Sequence, residues 1–298
     1  MITKKKCLTI FFKDVIKEIK NLFYGLVVLG LVIISIFWTF NMNIIDELHN
    51  KLIFYPSKEF YSSPEVDGIP YEEVFIKTPD KQTLHGYFFP AVIDGIKPVS
   101  CNKVVLYLHG NGQNVSTWYM AAAELQANIP VNILLVDYRG YGKSTGFPSI
   151  NGVNIDAHSM YQYLVQRGFN PENISIYGRS IGGAIGLELA GRERIKSIVV
   201  QSSFSSLKDI AKEVYPILPD FLIKNNSWNS IETIKILKCP VLISHGDKDD
   251  MIPVHHAYKL YDAANEPKKL VILNSADHND LSSCFTSEYF NALKELFL

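Results

Sequence analysis

Gly178-Arg179-Ser180-Ile181-Gly182 is the segment that most restricts how this chain can fold. It joins a β-branched run, Asn173 to Tyr177 (NISIY), to a run rich in small residues, Ile181 to Ala190 (IGGAIGLELA). The first reads as a buried strand and the second as a helix, so the pentapeptide must be a tight strand-to-helix turn. In such a turn the serine hydroxyl projects away from the backbone. The flanking positions must be small for strand and helix to come close. The amides of the first helical turn point toward any negative charge that develops beside the serine.

The same strand-then-helix pattern repeats along the chain. Tyr71 to Thr78 and Thr83 to Pro90 alternate around Pro79-Asp80-Lys81 and predict a hairpin. Further strands are expected at Val104 to Leu108, Ile133 to Val136, Lys196 to Gln201, Val241 to Ser244 and Lys269 to Leu273. Helices are expected over Thr117 to Ala127, Asn154 to Arg167, Val254 to Ala264 and Leu281 to Phe297. Continuous apolar strands alternating with helices imply a mostly parallel, twisted sheet covered on both faces, with the hairpin at one edge. In such sheets the site lies at the C-terminal ends of the strands, and the polar, glycine-bracketed clusters of this chain all fall there.

A serine hydroxyl needs a general base, and the base needs an orienting carboxylate. His278, just after the last strand, stands where the base belongs. His255 and His256 fall in the first turn of a helix and read as surface residues. His109 reads as a buried structural histidine. The acid must come from the loop His245 to Pro253, where Asp247, Asp249 and Asp250 compete and spacing alone does not choose. The amide after the serine, that of Ile181, and one from His109-Gly110-Asn111-Gly112, with Asn111 favoured, are expected to form an oxyanion hole. No histidine or cysteine cluster has zinc-ligand spacing, and the chemistry requires neither a metal nor an organic cofactor.

The first forty residues differ in kind. Leu22 to Phe40 carries no charge and is long enough to span a bilayer as a helix. Trp38 lies near one end, as suits an interface. Six lysines against Asp14 and Glu18 give residues 1–40 a charge of +4, which leaves −5 for the remainder. We read residues 1–21 as a basic cytoplasmic tail and residues 22–40 as a transmembrane anchor, with residues 45–298 on the extracytoplasmic side. A cleaved signal peptide is the competing reading, but it would have a shorter apolar core ending in a small-x-small site. The mildly acidic remainder argues against nucleic-acid binding. Cys101, Cys239 and Cys284 leave room for one disulfide but not for a disulfide framework.

Taken together, LYLHGNGQN (106–114), LVDYRGYGKSTGFPS (135–149), IYGRSIGGA (176–184), CPVLISHGDKDDMIP (239–253) and ADHND (276–280) resemble the α/β-hydrolase superfamily. Within it, the chain looks like the membrane-anchored α/β-hydrolase-domain proteins related to serine peptidases of the prolyl-oligopeptidase clan. The resemblance covers about residues 45–298. It implies an α/β-hydrolase fold with a small cap at about 204–238, places the acid on Asp249 ahead of Asp247, and makes Asp137 to Gly142 a structural turn beside the site. The activity it implies is hydrolysis of carboxylic esters or thioesters of acyl-bearing small-molecule or lipid substrates. Amidase or aminopeptidase action, acyl transfer and a non-catalytic tethered binding role are the alternatives. Asp277 departs from the small residue common before the base, and an extra carboxylate there would raise the histidine pKa.

Overall fold

The computed structural model describes residues 50–93, 97–217 and 227–298, together with isolated positions between 17 and 35. It divides into two compact units, residues 1–51 and 52–298. In the first unit the described positions between 17 and 35 are helical. Most of the predicted anchor at 22–40 and most of the apolar cap run at 214–223 lie outside the described residues. No helix among the described residues is long and apolar enough to cross a membrane.

The second unit is built on an eight-stranded sheet. In chain order its strands are β1 (Glu72–Lys77), β2 (Thr83–Phe89), β3 (Val104–Leu108), β4 (Asn132–Val136), β5 (Ile174–Arg179), β6 (Ser197–Gln201), β7 (Val241–Gly246) and β8 (Lys268–Leu273). Their spatial order is β1-β2-β4-β3-β5-β6-β7-β8. β1 and β2 pair antiparallel, as do β2 and β4, and every later pairing is parallel. A small ribbon of Val92–Ile93 and Lys97–Pro98, too short to leave a pattern, stands apart from the sheet.

Seven helices are described: α1 (Val115–Asn128), α2 (Ile150–Gln166), α3 (Ile181–Ala190), α4 (Leu207–Val214), α5 (Ser230–Ile234), α6 (His255–Ala263) and α7 (Ser287–Phe297). Side-chain alternation along the strands sorts them into two layers. Tyr107, Ile133, Leu135, Tyr177 and Val199 pack with Val115, Tyr119, Leu293 and Phe297 of α1 and α7. Leu106, Leu134, Ile176, Ile198 and Val200 pack with α2, α3 and α6 through Met160, Leu164, Ile185, Leu187 and Leu260. β3 and β5 are neighbours, yet β3 continues through α1 to β4 on one side while β5 continues through α3 to β6 on the other. The crevice at their C-terminal ends is the switch point of the sheet.

Two expectations are corrected. α2 begins at Ile150 because the Ser149 side chain accepts from the Gly152 amide and caps it. The expected helix Leu281 to Phe297 is broken: a 3-10 turn over Leu281–Cys284 ends at extended Phe285, and Thr286 caps α7 by accepting from the Tyr289 amide. α4 and α5 form the described part of the cap region. Cys101, Cys239 and Cys284 are free thiols.

The turn after β4 is held by charge. Arg139 donates to both oxygens of buried Asp156 and to both of Asp80. Replacing Arg139 with Ala strands Asp156 without its counter-ion, and urea unfolding should show a loss of about 3 kcal/mol or more. Hydrogen bonds from Arg139 and then Thr78 push the Asp80 carboxyl down to about 2. A pKa depressed in the fold contributes stability above the unfolded-state value, about pH 4, which is lost as pH falls toward 2. Asp80→Asn should therefore flatten that acid limb of the stability curve.

Candidate functional site

Ser180 caps α3 with φ 55° and ψ −121°. A non-glycine residue there is strained by about 1–3 kcal/mol and persists only where its surroundings hold it. The hold is visible: the Ser180 amide donates to Gln201 O at 2.8 Å, and Ser180 O accepts from the Gly183 amide at 2.9 Å. A Cβ on Gly178 would stand 2.4 Å from Gly182 O, and one on Gly182 would stand 2.1 Å from Leu108 O. Both glycines exist because helix and strands touch through backbone.

The structure brings Ser180, His278 and Asp249 together, all buried. His278 Nε2 lies 3.1 Å from Ser180 Oγ, and His278 Nδ1 lies 2.7 Å from Asp249 Oδ2. A carboxylate only accepts, so Nδ1 carries the proton and the Nε2 lone pair faces the serine hydroxyl. Burial by itself would raise the Asp249 pKa. Hydrogen bonds from His245 and His278, with the Ile252 amide, outweigh it and hold the carboxyl well below the usual range. Asp249 Oδ1 also accepts from the Met251 and Ile252 amides at 3.1 and 2.7 Å.

The other two acids lie elsewhere. Asp247 accepts from the Ser275 amide, and Asp250 is exposed. Asp277 does not act on the His278 ring: its exposed carboxylate accepts from the Asn279 and Asp280 amides, which lower its pKa. It caps the local turn.

Asn111 and Ile181 are both at the site. A Cβ on Gly110 would lie 3.5 Å from Ser180 Cβ, so the loop after β3 abuts the serine. The Ile181 amide opens α3 and is among the orphan donors of its first turn. The Asn111 side chain is engaged on the far side, accepting from Tyr55 N and Tyr141 Oη and donating to Ile53 O. Only its backbone amide is free to face the serine. His109 is fully buried against Trp118, Tyr138 and Tyr141, with Nδ1 on Gly110 O, which fits a structural role.

Three features escaped sequence reasoning. His245 Nε2 donates to Ile252 O at 2.7 Å and stands 3.3 Å from Asp249 Oδ2, so it closes the acid loop end to end. Arg179 donates to His278 O at 2.8 Å while its guanidinium stacks over Trp118, whose Nε1 donates to Gly112 O. That chain of contacts joins the histidine loop to the loop after β3. The third is a strap formed by residues 53–61. Asn114 donates to Ser57 O and Glu59 O, Gly142 N donates to Ser57 O, and Tyr61 N donates to Ser116 Oγ. None of these pairings leaves a periodic signal. Only the invariably polar character of Asn111 and Asn114 beside glycines hints at loop-holding side chains.

Because a Cβ on Gly182 collides with two main-chain carbonyls, of Leu108 and His109, Gly182→Ala should lower stability by about 1–3 kcal/mol or more in chemical denaturation. A neutral result would show that α3 can lift off the strands.

A family model described as the α/β-hydrolase fold matches residues 103–224. Protein bem46 of Schizosaccharomyces pombe is 30% identical over 260 residues, covering 83% of this chain and 85% of that protein. Protein YfhR of Salmonella typhi is 31% identical over 263 residues, covering 82% of this chain and 85% of its own. The esterase Pf2001 of Pyrococcus furiosus shares the fold with a TM-score of 0.65 at 20% identity, covering 82% of this chain and 97% of that one. With its sheet order, its strained serine turn and these relatives, the chain belongs to the α/β-hydrolase family.

Proposed function

We propose that the protein is a serine hydrolase of carboxylic esters or thioesters. The observation that carries the reading is the hydrogen-bonded series from Ser180 through His278 to an ionised Asp249. His278 Nε2 takes the hydroxyl proton as Ser180 Oγ attacks the acyl carbon. The amides of Ile181 and Asn111 receive the oxyanion, each worth on the order of 3 kcal/mol in such sites. Protonated His278 gives its proton to the leaving oxygen or sulfur, and the acyl-serine is then hydrolysed by water in the reverse sense. Asp249 keeps the imidazole in the working tautomer.

An acyl-bearing substrate is supported by a cavity of about 780 Å3 beside the site, lined in part by Trp118, Met120, Leu125, Phe285 and Phe290. Arg179, Asn111 and Asn279 also line it, so it borders the loops that carry the serine, the histidine and the oxyanion donors. Its size suits a small ligand. We further propose that residues 22–40 anchor the chain in a membrane with residues 45–298 on the extracytoplasmic side. The exposed Val27, Val28, Leu29, Leu31 and Val32 of the N-terminal helical residues support this reading.

The full chain in detergent micelles should be labelled by a fluorophosphonate, and Ser180→Ala should abolish labelling. Hydrolysis of p-nitrophenyl esters should fall about ten-thousandfold in kcat with Asp249→Asn, which costs the tautomer but not the geometry. Folded wild-type protein that resists the probe would refute the mechanism. Since Asp277 faces its own turn, Asp277→Asn should leave the pH–rate profile in place; a displaced profile would mean that its charge reaches the imidazole.

A further inference from the structure

His256 is not the surface residue its helix position suggests. Its side chain is fully buried, and Nδ1 lies 2.8 Å from Ser205 Oγ. Ser205 Oγ in turn donates to Asp209 Oδ2 at 2.9 Å. A hydroxyl has one proton, so with that proton on Asp209 the short contact to the imidazole is satisfied by Nδ1–H donating to Ser205 Oγ. The Nε2 atom is then a bare lone pair. It is buried, makes no hydrogen bond, and stands 3.4 Å from Glu213 Oε2. Two acceptors face each other there and call for a cation between them.

A third donor completes the set. His255 Nε2 lies 3.1 Å from Glu213 Oε1, and one donor atom from each of the three residues falls within 4.8 Å of the others. Ligand atoms bound tetrahedrally at zinc distances stand about 3.3 Å apart. Two imidazoles and a carboxylate are a donor set that zinc-type ions take, and the Asp209–Ser205–His256 series is the outer-sphere support that orients a ligating histidine. Glu213 and His255 are part-exposed, which leaves an entry path and an open coordination position.

We propose that Glu213, His255 and His256 bind a divalent ion of the zinc class, clipping α4 to the first turn of α6. Coordination at Nε2 selects the tautomer that donates to Ser205, over the one in which Nδ1 accepts the Ser205 amide at 3.2 Å. The site follows directly on the loop that carries Asp249, but it contains none of the residues of the proposed hydrolase mechanism. Its test is therefore independent of that reading.

The test uses the untagged full chain, stripped with a chelator and titrated with Co2+. One equivalent should bind with the intense visible absorption of a low-coordinate nitrogen and oxygen site, and Zn2+ should displace it. Glu213→Gln and His255→Gln should each weaken binding at least about a hundredfold, and Ser205→Ala about tenfold. His158→Gln and Ser180→Ala should leave it unchanged. Circular dichroism of the metal-free variants verifies that these part-exposed substitutions keep the fold. Absence of Co2+ uptake by wild-type protein, or uptake that survives both Glu213→Gln and His255→Gln, would overturn the proposal.

Discussion

The contact between the first turn of α3 and the main-chain carbonyls of Leu108 and His109 governs this molecule. It exists only because Gly182 has no side chain. It draws α3 onto the ends of β3 and β5, forces Ser180 into a positive φ, and seats the serine over the switch point of the sheet. Every other element of the site is placed relative to that anchorage. The loop after β3 abuts the serine because β3 and β5 are paired through Leu108 and Gly178. The acid and histidine loops arrive because β7 and β8 run parallel to β5 and end on the same side.

Charge within the site is settled by hydrogen bonds, not by solvent. A buried carboxylate is costly unless its lone pairs are met. Asp249 meets them with two imidazoles and two amides. That arrangement keeps it ionised, and an ionised Asp249 in turn dictates which nitrogen of His278 holds the proton. The same logic runs in reverse at Asp277, whose carboxylate is turned outward onto its own loop and is electrostatically silent toward the ring.

How far the sequence could be read follows from the range of each interaction. The strands announced themselves through continuous apolar runs, and the serine turn through glycines at fixed offsets. Nucleophile and base could be chosen because their place after a strand is a local property. The acid could not be chosen by spacing, since Asp247, Asp249 and Asp250 differ only in where a loop points them; the family resemblance made that choice. His245, Arg179 and the strap at 53–61 were missed because they act between segments far apart in the chain. His256 was misread for a related reason: its burial comes from the region around Ser205, which periodicity does not describe. Phe285 broke the last helix because Thr286 offered a cap and its ring found Tyr289 at 4.6 Å.

The strap also redefines where the folded unit begins. A boundary drawn from secondary structure would fall at β1, near residue 72. Yet Asn111 and Asn114 send their amide groups to carbonyls of Ile53, Ser57 and Glu59. A chain trimmed to its first strand would therefore keep all eight strands and still lose the acceptors that shape the loop beside Ser180. The smallest autonomous piece of this protein is set by hydrogen-bond closure, and it starts some twenty residues before the sheet does.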